Sequence, residues 1–159
     1  MANNKILSHN PEETVLIAAR FARNLRAGDI VFLKGDLGAG KTTFTKGLAQ
    51  AFQVKKTEVN SPTFILMNYY EGKLPIYHFD FYRINQELEL STMDLDEYIY
   101  GKGISVIEWP ERLGEFAPKE FFEVCLDHQS EHQRMIGFSA TGEGFKKRLK
   151  NMMIRIKAI

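Results

Sequence analysis

From Asn10 onward the chain switches repeatedly between a helical and an extended hydrophobic period. Asn10-Pro11-Glu12-Glu13 reads as a helix start, with Asn as N-cap, Pro at the first helical position and Glu at the third. Val15, Ala18, Ala22 and Leu25 then recur at spacings of three and four. Arg20, Arg23 and Arg26 take other directions, and Gly28 is placed to supply a left-handed stop. Ile30-Val31-Phe32-Leu33 breaks that period, because a short apolar run between Asp29 and Lys34 predicts a strand buried on both faces. From Lys41 the helical stripe returns with Phe44, Leu48 and Ala51 and ends near Phe52. Thr63 to Tyr70 and Leu74 to Tyr82 are β-branched and aromatic, separated by Glu71-Gly72-Lys73, which predicts an antiparallel hairpin.

Gln86 to Tyr100 is acidic and broken, as short helices would be. Ile104 to Ile107 predicts a second short buried strand, ended by Glu108-Trp109-Pro110. Phe121 to Gln129 and Gln133 to Ala140 predict two further strands, and a terminal helix starts near Thr141-Gly142-Glu143. With no internal repeat, low-complexity segment or linker, this alternation predicts one α/β domain over residues 1–159, a single mixed β-sheet with flanking helices. Its length suits one core, which can bury enough surface to stand without disulfides.

Composition narrows the class. Lys and Arg number 21 against 20 Asp and Glu, a formal net charge of +1, so no overall field draws the protein to nucleic acid or anionic lipid. The single Cys125 permits no internal disulfide, and together with the missing signal and spanning patterns at Met1 to Thr14 this gives an expectation of cytoplasmic location without membrane attachment.

Gly35-Asp36-Leu37-Gly38-Ala39-Gly40-Lys41-Thr42 lies at the strand-to-helix turn and matches the phosphate-binding P-loop pattern of Gly, four residues, then Gly-Lys-Ser/Thr. Glycines allow backbone N–H groups to turn inward around a β-phosphate, Lys41 reaches β- and γ-phosphate oxygens, and the Thr42 hydroxyl suits one Mg²⁺ position. A chance match to the four fixed positions has a probability of only about 0.6% in a chain of this length.

Phosphoryl chemistry also wants a carboxylate at the end of a neighbouring strand. Asp80 and Glu108 each follow a largely apolar run, and the more β-branched run modestly favours Glu108. Asn60-Ser61-Pro62-Thr63-Phe64 has the position of a nucleotide-sensing loop, although a Ser-Pro turn leading into a strand accounts for it more simply.

Four segments together, GDLGAGKTT from Gly35, NSPTF from Asn60, YHFDFYR from Tyr77 and IEWPE from Ile107, resemble the TsaE family, formerly YjeE, of bacterial tRNA threonylcarbamoyladenosine biosynthesis proteins. They span about half the chain. The resemblance implies a P-loop nucleotide-binding fold and a Mg²⁺-dependent ATPase supporting turnover of a TsaB–TsaD complex, which meets tRNA through that complex. It assigns Asp36, Leu37, Gly38, Ala39, Gly40, Lys41, Thr42 and Thr43 to ATP, Thr42 and Glu108 to Mg²⁺, and Asp80 to the site as a further acid. It also implies closure by the N-terminal helix and a late strand, making Thr14 and Arg134 nucleotide contacts.

Other features favour plainer roles. His78, His128 and His132 lack metal-ligand spacing, and Trp109 reads as packing that fixes Glu108. Phe145 to Ile159 carries six basic residues and no acid, where a solvated helix face is favoured over a partner or tRNA contact. A small-molecule P-loop kinase is the competing enzyme, but the chain is short for an acceptor pocket and no arginine run follows the P-loop helix. A GTP switch would want Asn-Lys-x-Asp, which does not occur.

Overall fold

The helix start at Asn10 is complete. In the computed structural model, which describes residues 3–54, 58–62, 66–84 and 94–158, the Asn10 side chain accepts the Glu13 backbone N–H at 2.8 Å. From Pro11 the helix α1 runs Pro11–Ala22. It ends well before Gly28. That glycine instead turns at φ 91° and donates its N–H to the Gly103 carbonyl at 2.8 Å, tying two strand starts together.

One seven-stranded mixed sheet forms the body. Its strands are β1 (Lys5–Ser8), β2 (Ile30–Lys34), β3 (Met67–Tyr70), β4 (Ile76–Asp80), β5 (Ile104–Glu108), β6 (Phe121–His128) and β7 (Arg134–Thr141), ordered β1-β7-β6-β2-β5-β4-β3. The inner four, β6, β2, β5 and β4, are parallel, and antiparallel strands lie outside them on both sides. The expected hairpin is β3–β4, although Thr63 to Ile65 lies outside the described residues. β1 carried no signal strong enough to predict it, being four residues long and exposed on alternate positions. Among the described residues its only strand partner in the sheet is β7.

The helices are α2 (Lys41–Ala51), a short α3 (Leu95–Ile99) and α4 (Glu143–Lys157), with a 3₁₀ segment at Pro110–Phe116 that the hydrophobic pattern did not predict. Of the broken acidic stretch only α3 and its flanks are described. β2 explains the two-layer core: Val31 and Leu33 enter one cluster with α1, α2 and α4, while Ile30 and Phe32 enter the other with Phe79, Phe81 and Leu113. Phe21 of α1 sits centrally in the first cluster, with ring centroids 5.3 Å from Phe138 and 5.9 Å from Phe122.

α4 is pinned by charge. Arg148 makes a bidentate pair with the buried Asp29, at 2.8 and 2.7 Å, and its guanidinium lies 5.1 Å from the Phe122 ring. Arg155 donates to the Asn24 side chain, Lys157 to the Asn3 carbonyl, and Lys146 pairs with Glu143. The basic C-terminal segment therefore contains one buried ion-pair anchor, at Arg148, with Arg155 and Lys157 making further hydrogen bonds from the exposed face.

Gly47 sets the distance between α1 and α2. A Cβ there would sit 2.6 Å from the Ala18 Cβ and closer still to the Val15 carbonyl oxygen. Gly47→Ala is expected to cost about 1–3 kcal/mol through overpacking, and differential scanning calorimetry should find Tm lowered by about 3–10 °C.

Candidate nucleotide site

The parallel centre of the sheet delivers its strand ends to one edge. β2 leads directly into the Gly35–Thr42 loop, and β5 pairs with β2 so that Glu108 stands opposite Leu33. β4 lies one strand further out, with Asp80 opposite Glu108. The preference for Glu108 as the acid beside the P-loop strand thus agrees with the register, while Asp80 occupies the next strand on the same edge. Both carboxylates are buried at 3% exposure.

The loop turns by an Ala39 N–H to Asp36 carbonyl bond of 2.9 Å and passes through left-handed Gly38 (φ 80°) and Gly40 (φ 104°). Gly40 is the N-cap of α2 and offers no side-chain cap, and the first-turn N–H groups of a helix have no partner within the helix. Lys41 is buried; its Nζ donates to the Gly35 carbonyl at 2.7 Å and lies 3.9 Å from Glu108 Oε1 and 4.6 Å from the centre of the Trp109 ring.

A cavity of about 300 Å³ is lined by Leu37, Gly38, Gly40, Lys41, Thr42, Thr43, Ser61, Asp80, Tyr82, Glu108 and Trp109. Asp36 lines an adjoining hollow that shares Lys41 and Trp109. Ala39 is buried beneath the loop, in the first core cluster. Of the sequence-assigned residues, the fold therefore gathers Leu37, Gly38, Gly40, Lys41, Thr42, Thr43, Asp80 and Glu108 around one cavity, with Asp36 in the adjoining hollow and Ala39 in the core.

Arg134 and Thr14 have different surroundings. Arg134 reaches the loop from β7, donating from Nε to the Ala39 carbonyl at 2.9 Å and from Nη2 to Gly38 at 3.5 Å. Thr14 is buried near the start of α1, its Oγ1 2.6 Å from Ser8 Oγ, and it does not line the cavity. Its contacts are those of a local structural hydroxyl.

Sequence reasoning undervalued two residues. Trp109 adopts a left-handed conformation (φ 57°, ψ 50°), its ring tilted 52° to that of Tyr82 with centroids 4.9 Å apart, and faces Lys41, so it forms a wall of the cavity as well as packing beside Glu108. His78, unsuited to metal spacing, places Nε2 2.7 Å from Glu108 Oε2. The available signal was strand period: His78 and Asp80 stand two apart on one strand, hence on one face. Among the described residues no group of three His, Cys, Asp or Glu side chains is arranged to hold a metal; the side-chain oxygens that line the cavity belong to Thr42, Thr43, Ser61, Asp80, Tyr82 and Glu108. Oxygen donors suit Mg²⁺.

Sheet order, the strand–loop–helix unit and the buried lysine define a P-loop α/β nucleotide-binding domain. A family profile described as threonylcarbamoyl adenosine biosynthesis protein TsaE matches residues 8–136, and the chain belongs to that family. It is 43% identical over 138 residues to the tRNA threonylcarbamoyladenosine biosynthesis protein TsaE of Bacillus subtilis, covering 86% of this chain and 85% of that protein. The Nostoc protein of the same name is 38% identical, with 82% of each covered. A crystal structure of Bacillus subtilis YdiB superposes with a TM-score of 0.77 at 35% identity, covering 93% of this chain and 92% of that one. No helix among the described residues is long and apolar enough to cross a membrane.

Arg134→Ala should loosen the loop without unfolding the sheet. Losing hydrogen bonds worth about 0.5–1.5 kcal/mol each predicts amide exchange about 3–10-fold faster across Gly35–Lys41, measured by hydrogen–deuterium exchange, with β2 protection unchanged.

Proposed function

We propose that this protein is the ATP-hydrolysing component of the machinery that makes threonylcarbamoyladenosine in tRNA, working with TsaB and TsaD. The observation that carries the reading is Lys41, buried between the P-loop carbonyl of Gly35 and the Glu108 carboxylate at the edge of a 300 Å³ cavity. Family membership and the names of the relatives support the pathway.

In this reading the loop N–H groups and Lys41 hold the phosphates, and Asp36 to Thr43 frame the nucleotide. Thr42 and Glu108 would hold Mg²⁺, which when bound neutralises charge on the phosphates. Asp80, on the adjacent strand, orients the attacking water. Water forms a bond to the γ-phosphorus as the bond to the bridging oxygen breaks, giving ADP and phosphate. Lys41 steadies the charge that develops on the transferred group.

Arg83, Arg112 and Arg134 are the candidates within the chain for an arginine over the γ-phosphate. Arg134 is engaged with loop carbonyls and Arg112 donates to the Ile84 carbonyl at 3.1 Å. A partner arginine can add about 10³–10⁵ in rate, and a partner can also act by repositioning Ser61 at the cavity. Location in the cytoplasm follows from work on tRNA with these partners.

Lys41→Ala and Thr42→Ala are expected to lower ATP turnover by about 10²–10³-fold while far-UV dichroism stays unchanged. Glu108→Gln should cost more than Asp80→Asn; the reverse order, in steady-state phosphate release, would mean the two carboxylates exchange roles.

The isolated protein should hydrolyse ATP slowly, without any acceptor, and faster with purified TsaB and TsaD. Hydrolysis that requires a small-molecule acceptor would instead indicate a kinase. Binding of both partners with no rise in turnover would make nucleotide a controller of assembly.

A further inference from the structure

Glu108 is held from behind. Its Oε2 lies 2.7 Å from His78 Nε2, and His78 is fully buried. A carboxylate only accepts, so the imidazole proton is assigned to Nε2. His78 Nδ1 is 3.3 Å from the Tyr70 hydroxyl. Nδ1 can then only accept, so the single hydroxyl proton is shared between His78 Nδ1 and the Asn60 carbonyl at 2.9 Å, while the hydroxyl oxygen receives the Asn60 N–H at 3.2 Å and the Asn68 amide at 3.1 Å and stays bonded to Asn60 in either orientation. Burial pushes the Tyr70 phenol up, so it remains a neutral donor. Asn60 directly precedes Ser61, which lines the cavity.

The direction of this pull matters. A glutamate with both oxygens free would close onto the neighbouring ammonium as a contact ion pair. Here Oε1 stays 3.9 Å from Lys41 Nζ, and the lysine donates to the Gly35 carbonyl at 2.7 Å. Holding Oε2 on the imidazole leaves one oxygen facing the cavity and Lys41 available to phosphate.

We propose that His78 is the positioning residue for Glu108 and that, through Tyr70, it ties this carboxylate to the Asn60–Pro62 segment, so that the segment and the acid move as one unit. The inference rests on the ATP·Mg²⁺ reading of the cavity. A buried histidine that merely satisfies the core makes a different prediction, and two near-isosteric variants separate them. In His78→Gln the side-chain amide reaches toward Glu108 and loses Tyr70, whereas in His78→Asn it reaches toward Tyr70 and loses Glu108. Each forfeits one hydrogen bond, so a purely structural role predicts equal losses.

The test uses Trp109, the single tryptophan, as a fluorescent reporter of ATP binding, beside steady-state turnover. Both variants should lose similar Tm. His78→Asn should raise the Mg²⁺ concentration needed for half of the ATP-induced signal by about tenfold and lower kcat by about 10–100-fold, with KM nearly constant. His78→Gln should keep the wild-type Mg²⁺ half-saturation and lose in kcat only the severalfold expected from cutting the link to Tyr70. Equal losses in the two variants, or a weaker His78→Gln, would overturn the positioning role. Tyr70→Phe keeps the His78–Glu108 bond and should lower kcat severalfold with Mg²⁺ half-saturation unchanged; wild-type turnover there would overturn the tie to Asn60–Pro62. Should wild-type emission and hydrolysis both ignore ATP·Mg²⁺, the ATPase reading falls and this inference with it, an outcome distinct from a responsive wild type whose variants match.

Discussion

A lysine ammonium and a glutamate carboxylate, both under 10% exposed and 3.9 Å apart, are the constraint around which this molecule is built. Removing two charges from water costs several kcal/mol per ion unless hydrogen bonds and opposite charge replace the solvent. Each charge has such a set. Lys41 has the Gly35 carbonyl, the Glu108 carboxylate and the face of Trp109; Glu108 has the His78 N–H as well as Lys41. Phosphate oxygens entering the cavity would join a site whose positive charge is already desolvated, where electrostatic attraction is stronger than in water.

Placing those groups demands the parallel centre of the sheet. Parallel strands end at a common edge, so β2, β5 and β4 bring the loop, Glu108 and Asp80 together although 28 residues separate the two acids in sequence. The antiparallel flanks have separate tasks. β7 carries Arg134 beneath the loop, and β3 carries Tyr70, which links His78 to Asn60. Behind the sheet, Asp29 and Arg148 fasten α4 to the start of β2, so the terminal helix braces the strand that carries the P-loop.

Much of this was legible in the residues. Helix starts, the strand before the loop, the hairpin and the paired late strands depend on neighbours a few positions away, and their periods and caps appear directly in sequence. The loop pattern itself states which atoms can meet a phosphate, because its backbone geometry follows from glycine at Gly38 and Gly40. β1 and the Pro110–Phe116 segment were illegible for the opposite reason: a short exposed edge strand exists only through its partner, and the 3₁₀ turns after Trp109 follow from a left-handed residue that local propensity disfavours.

By itself, then, the sequence determined the strand–loop–helix unit, the candidate acids and the family, since each is written in short segments, the family in four of them taken in order. Only tertiary structure decided that Glu108 stands beside the P-loop strand with Asp80 one strand beyond, that Thr14 turns inward to Ser8 while Arg134 supports the loop, and that His78 backs Glu108. Arg134 meets Ala39 across 95 residues and His78 meets Glu108 across 30. No local period encodes such contacts; they arise when strand order and register bring distant side chains to one face of the sheet.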